Sequence, residues 1–245
     1  MNTQDQHVLT QACQVLQMFS KREQAKNIML QNRDVIPTLA MVLGQTNDTD
    51  IARASTGVLH NVSQVKAGRD AIFNCNGLGA LIKVLSCNID AIVFYAITTI
   101  HNLLIHIKPA KTHVRDHQGA ITQMVALLQK KNNVKFLAIC TDCLYLLGIG
   151  DNNSKAQMLQ ADAATQLIHI MNTQQYEKLL WTTSRLMKVL SVNKDTKNAL
   201  LHAGGFQALG AHLSSPSQRL IGQSLWTMRN LSDAAINMVC YFFFF

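Results

Sequence analysis

The chain is predicted to be an all-α array of repeated three-helix units, and three observations predict it. Of 245 residues, only 3 are proline and 6% are aromatic, and the alternating apolar–polar runs that mark half-buried strands are scarce. Apolar helix ends recur down the chain as LQMFS (16–20), LHNVS (59–63), HNLLI (101–105), MKVLS (187–191) and MRNLS (228–232). The stretch YEKLLWTTSRLMKVLSV, 176–192, reads as one helix with no Pro, no Gly and many good helix formers.

The repeat is measurable. Taking Ser20, Ser63, Leu104, Gly148, Ser191 and Ser232 as equivalent gives steps of 43, 41, 44, 43 and 41. An independent series, PTLAMVL, GALIKVL, QMVALL, QLIHIM and QALGAHL, ends at Leu43, Leu85, Leu128, Met171 and Leu213, with steps of 42, 43, 43 and 42. Two interleaved series with one period indicate a tandem array, and this period falls in the HEAT/armadillo range of about 40–47 residues.

The elements of one unit follow in order. A short helix, KNALLHA (197–203), ends at Gly204-Gly205, where glycine supplies the sharply turned backbone between helices. A second helix, FQALGAHL, runs to 213; then SSPS places Pro216 near the start of a longer third helix, QRLIGQSLWTMRNLS. Asn76-Gly77 and Gln118-Gly119 mark the same turn earlier, whereas ADAA (161–164) lacks the glycine and should specify its turn less well. A single unit cannot bury its apolar faces, so the expected architecture is a right-handed α-solenoid whose third helices line a concave groove.

The third helices are expected over 50–63, 89–105, 134–148, 176–192 and 217–232. In 176–192, Leu179, Leu180, Thr183, Leu186, Met187 and Leu190 form one stripe, while Lys178, Trp181, Arg185 and Lys188 share the other side. A solvated face does not need a tryptophan, and a buried face does not tolerate three unpaired cations. The face is therefore read as looking into the groove. Helix 89–105 puts Phe94, Thr98, His101 and Asn102 on one face, 134–148 opens with Lys135-Phe136, and 217–232 presents Arg219, Trp226, Arg229 and Asn230. Net charge is neutral for 50–63 and 134–148, −1 for 89–105 and +2 for each of 176–192 and 217–232. The groove should become basic toward its C-terminal half.

Bulk properties agree. The chain is 48% hydrophobic and 15% charged, as a folded protein is, with net charge +8 and a pI near 9.3. That excess favours acidic partners. The opening MNTQDQHVLT is no signal peptide, so a reducing cytosolic or nuclear setting is expected. Cys140 and Cys143 form a CxxC without a second ligand pair and are read as buried helix residues. No apolar run reaches the roughly 20 residues a membrane span needs.

The segments RASTGVLHNVS, FYAITTIHNLL, NVKFLAICTDCL, YEKLLWTTSRLMKVLSV and PSQRLIGQSLWTMRNLSDAA closely resemble armadillo repeats of the beta-catenin family. The resemblance covers about 12–235 and implies an array over 1–235 of about six repeats, the first incomplete. It implies a scaffold with no catalytic chemistry and no cofactor, acting in cell adhesion and Wnt-type signalling at adherens junctions, in cytoplasm and in nucleus. Implied partners are cadherin cytoplasmic tails, T-cell-factor/lymphoid-enhancer-factor transcription factors, axin and the adenomatous polyposis coli protein. By residue-wise carry-over, the groove positions are Phe94, His101, Asn102, Lys135, Phe136, Lys155, Lys178, Arg185, Lys188, Arg219, Trp226, Arg229 and Asn230. Lys155 matches a lysine that pairs with a partner carboxylate.

Departures are equally specific. Ile149 stands where the family usually has a tyrosine beside that lysine. The degradation segment, the alpha-catenin-binding helix, the later repeats and the activation tail have no counterpart, so alpha-catenin is not an expected partner. After SDAA, residues 236–245 are read as an unrelated apolar tail from a truncated gene product, and its FFFF is an association hazard if exposed.

Two other functions fit the same fold. A nuclear-import adaptor would use Trp226 and Asn230 as a W-x-x-x-N pair, but needs a longer Trp ladder and an acidic groove. Nucleic-acid binding would follow from the +8 charge, though no reading motif accompanies it. For an enzyme there is little: His113 and His117 lack the glutamate of an HExxH site, and Asp142 reads as a paired structural group.

Overall fold

The computed structural model describes residues 3–130 and 133–243, with side chains over 5–130, 133–232 and 234. It is all-α: sixteen α-helices and one short 3-10 turn, with no strand among the described residues. Helix α1 (Thr3–Phe19) is followed by five triplets. These are α2 (Glu23–Gln31), α3 (Val35–Gln45) and α4 (Thr49–Val62), then α5 (Lys66–Asn74), α6 (Gly77–Lys83) and α7 (Asp90–His106). Next come α8 (Lys108–Asp116), α9 (Ala120–Lys130) and α10 (Val134–Gly148), then α11 (Asn152–Gln160), α12 (Ala163–Thr173) and α13 (Glu177–Leu190). The last triplet is α14 (Lys194–His202), α15 (Gly205–Gly210) and α16 (Gln218–Phe243). None is long and apolar enough to cross a membrane among the described residues.

The predicted third helices are α4, α7, α10, α13 and α16, and only α16 differs appreciably, running on to Phe243. The backbone of the expected tail at 236–245 thus continues this helix to Phe243; its side chains, and residues 244 and 245, lie outside the described residues. Some helix starts are set by short polar caps. Asp48 accepts from the Asp50 and Ile51 amides, Asn133 from Lys135 and Phe136, and Asn193 from Asp195 and Thr196, satisfying amides that have no partner within the helix. Two of the second helices, α6 and α15, end in a tightened turn. Residues Val84–Ser86 are a 3-10 turn after α6, and His212 and Leu213 bond three residues back, to Leu209 and Gly210, after α15. That tightening stops α15 short of the predicted 213.

The turn between first and second helices is more uniform than its sequence. One residue is left-handed in each of four units: Asn76 (φ 59°), Gly119 (79°), Asp162 (61°) and Gly204 (86°). The equivalence is therefore Asn76 with Gly119, one step out of the predicted register. ADAA makes the turn without glycine because Asp, like Asn, tolerates this conformation, and Asp162 also accepts the Thr165 hydroxyl at 2.7 Å.

Two compact units are present, residues 1–120 and 121–245. In the first, α4 packs between α1 and α7, and α3 lies against α4 and α6. In the second, α13 packs between α10 and α16, with α12 beside α13 and α15 beside α16. The predicted stripe of α13 is buried, and so are Thr182 and Ser184. Their burial follows from having third helices on both sides. The Thr182 hydroxyl lies 2.8 Å from that of Thr141 on α10, and Thr227 on α16 donates to the Ser184 carbonyl at 3.4 Å. Cys140 and Cys143 sit fully buried in α10, where desolvation pushes the Cys140 thiol up to about 12 and the Cys143 thiol well above its usual value.

Candidate functional site

Adjacent third helices are tied by a repeated asparagine–serine contact. Asn61 on α4 donates to Ser20 at 2.8 Å, Asn102 on α7 to Ser63 at 2.9 Å, and Asn230 on α16 to Ser191 at 3.0 Å. Each serine in turn donates to the carbonyl three residues back: Gln17, His60 and Lys188. These serines are the ones whose spacing revealed the repeat. Where that series holds Gly148, the facing residue is Val189, whose Cγ1 lies 3.3 Å from where a Cβ at 148 would be. An apolar pair thus replaces the polar one. Asn102 and Asn230, expected as groove contacts, are engaged in this tie.

The open face of α13 carries the chemistry. Arg185 is bonded to Asp142 on α10 at 2.9 Å, and its guanidinium lies 3.8 Å from the Tyr145 ring centroid and 4.5 Å from that of Trp181. Arg219, from α16, reaches the same indole at 4.6 Å and grips Glu177 with two hydrogen bonds, Nε to Oε1 at 2.7 Å and a terminal nitrogen to Oε2. Ser217 also donates to Glu177 Oε1, at 2.6 Å. These donors, Arg219 first, hold the Glu177 carboxyl down to about 2. So the tryptophan among cations is flanked by two arginines, each tied to its own carboxylate on a neighbouring helix. Beyond it, Trp226 is 49% exposed, with Lys188 and Arg229 both 5.1 Å from its ring centroid.

The remaining expected residues divide. Lys135 and Lys178 are exposed. Phe94 is half-buried, edge-on to Tyr95, which stacks on His60 at 5.1 Å, and His101 is half-buried on the same helix. Two expectations are corrected. Phe136 is 3% exposed and belongs to the core, because the helix capped by Asn133 turns it inward. Lys155 is 6% exposed, lies on α11 instead of a third helix, and points its ammonium at Asn152 Oδ1, 3.4 Å away. Asp142 is paired, as read from the sequence.

The predicted basic gradient is partly offset from within. Asp142 and Glu177 neutralise Arg185 and Arg219, whereas Lys178, Lys188 and Arg229 have no carboxylate partner among the described residues. Sequence reasoning passed over Tyr145 and Glu177, and also Lys197, which with Ser191, Arg229, Asn230 and Ser232 lines a cleft of about 490 Å³. A signal existed: each internal ion pair joins opposite charges about one repeat apart, 43 and 42 residues.

An Armadillo/beta-catenin-like repeat profile matches residues 193–233, which hold α14, α15 and most of α16. Over 235 residues, 96% of the chain, the sequence is 45% identical to junction plakoglobin of Xenopus laevis and Homo sapiens. These are armadillo repeats of the beta-catenin type. The armadillo array is also 43% identical to catenin beta of Urechis caupo over 96% of its length. It spans about a third of the length of the curated relatives it matches, 32% of the Xenopus protein and 28% of the Urechis one. Among solved structures, one describing a phosphorylation switch that controls the interaction between cadherin and beta-catenin superposes with a TM-score of 0.85 at 29% identity, covering 97% of this chain and 44% of that one. A designed armadillo repeat protein superposes at 0.75 with 16% identity, covering 94% of this chain and 96% of its own, a likeness of fold alone.

Proposed function

We propose that this armadillo array is a non-enzymatic scaffold whose third-helix face in residues 121–245 binds an extended acidic tail, of the cadherin kind first. The observation that carries the reading is the group Lys188, Trp226 and Arg229: an open aromatic ring with two cations beside it and, among the described residues, no carboxylate on either. Lys178 extends the same charge along α13. A desolvated aromatic or arginine anchor of this kind costs about 2 kcal/mol when truncated, while each exposed lysine–carboxylate pair adds about 0.2–1 kcal/mol. Several such contacts along a preformed surface offset the ordering of a flexible tail. The likeness to a cadherin–beta-catenin structure supports the choice of partner.

The tails of T-cell-factor/lymphoid-enhancer-factor proteins, axin and the adenomatous polyposis coli protein share that acidic, extended chemistry, and we place them on the same surface. Adherens junction, cytoplasm and nucleus are the corresponding locations. The test is titration of an acidic cadherin-tail peptide against the wild type and a Lys188→Glu, Arg229→Glu variant. Affinity should fall on the order of tenfold or more; equal affinities refute the assignment. Lys155 and Arg219 are poor probes, the first being buried and the second already paired. Preference for random duplex DNA, steeply lost with salt, would replace the reading with nucleic-acid binding.

A further inference from the structure

We infer that the joint between α10 and α13 is an apolar step in the peptide track: it takes a large aliphatic side chain of the bound tail, beside an acidic one. The inference rests on the peptide-binding reading of this face and names one kind of residue that the partner carries. Three joints between neighbouring third helices are polar, a serine bonded to an asparagine, at Ser20–Asn61, Ser63–Asn102 and Ser191–Asn230. Between α10 and α13 the same places hold Gly148 and Val189, with Val189 Cγ1 3.3 Å from where a Cβ at 148 would be. Met158, fully buried on α11, closes the joint from behind, its Cε 3.6 Å from that same point. Neither side chain at this joint offers a hydrogen bond to a ligand.

The rim of the joint is apolar as well. The residues that follow the repeat series are Lys21, Gln64, Ile105, Ile149 and Val192, so this position turns from polar to aliphatic along the chain. Ile149 comes directly after Gly148 and Val192 one turn after Val189, and they are 42% and 68% exposed. The charges nearest in sequence are engaged elsewhere. Lys155 is buried with its ammonium at Asn152, Asp151 accepts the Ser154 amide at 2.7 Å, and Lys188 lies on the Trp226 ring. Single exposed aliphatic residues are ordinary, but this pair borders charge. Val192 also lines the cleft of about 490 Å³ that holds Lys197 and Arg229, and no carboxylate lines that cleft among the described residues. Successive residues of an extended chain are about 3.3 Å apart, so an aliphatic residue on Ile149 and Val192 and an acid in the cleft belong to one short stretch of tail. At the apolar step an aspartate or glutamate would lose water and gain no partner, whereas a leucine or isoleucine buries apolar surface against both residues. The step thus fixes the register of a tail that charge alone would let slide.

The experiment uses a peptide of glutamates and serines in which leucine replaces each serine in turn, and measures affinity relative to the all-serine parent. On the wild type, leucine at the matching position should tighten binding by about 3- to 10-fold. In an Ile149→Ser, Val192→Ser variant that gain should vanish while the parent peptide binds as before. Both positions are exposed, so the melting temperature should stay that of the wild type. An Ile149→Leu, Val192→Leu variant, which keeps the aliphatic surface, should keep the gain. The Lys188→Glu, Arg229→Glu variant should weaken parent and leucine peptides alike and leave their ratio unchanged. No leucine gain at any position, or a gain that survives in the double-serine variant, overturns the apolar step alone. Equal affinity of the parent peptide for wild type and the charge variant overturns the peptide-binding reading, and the step with it.

Discussion

At the scale of single residues, the same amino acid takes different work depending on what lies across from it. Asn102 and Asn230 carry the amide expected of a peptide-binding groove, yet each donates to a serine at the end of the preceding third helix. Such a bond contributes about 0.5–1.5 kcal/mol. In a double-mutant cycle, Asn230→Ala and Ser191→Ala should each destabilise, with a coupling energy of about 1 kcal/mol by chemical denaturation; additive effects would show the bond carries nothing. His60 makes a second residue-scale prediction. Burial lowers its pKa from 6.5, and its Nδ1 is enclosed without a hydrogen-bond partner. The unfolded chain takes up a proton near 6.5 that the folded chain refuses, so this contribution is whole above that pH and is lost as pH falls toward the lower folded value. Melting temperature should therefore drop as pH falls below about 6.5, and His60→Phe, which keeps a ring against Tyr95, should flatten that part of the profile.

At the scale of elements, helix positions were legible from spacing because one helix buries one stripe, and a stripe has a period. Five third helices fell within two residues of expectation at their starts. Their burial was less legible: α13 buries Thr182 and Ser184 beyond its apolar stripe because α10 and α16 flank it. Sequence marked these two as polar, and only neighbours could make them core. Glycine shows the same dependence on surroundings. A Cβ at Gly205 would stand 2.6 Å from the Leu200 carbonyl oxygen, whereas one at Gly222, inside α16, meets nothing within 4 Å. Gly222→Ala should stabilise the array by about 0.5–1 kcal/mol in thermal or chemical melts, through lost backbone freedom of the unfolded chain. Gly205→Ala should destabilise it.

At the scale of the whole molecule, the charge of +8 acts before any contact forms. Such a charge favours encounter with acidic molecules in general, and that advantage is screened by salt. The association rate of an acidic tail peptide should fall steeply between low and physiological ionic strength while the dissociation rate changes little, measured by stopped flow or surface-based kinetics. A flat association rate would mean that the excess charge lies away from the peptide path. Two compact units, each with its own core of third helices, carry this charge.

Periodicity sufficed for the repeat, the helix order and the side of α13 that meets water, since each follows from local pattern. Tertiary packing alone assigned the charges. Lys155 and Phe136 went inside, and Arg185 and Arg219 acquired acids from helices about one repeat away. The physical reason is distance: a cation is free or paired according to what stands a few ångströms off, and that neighbour lies roughly forty residues along the chain.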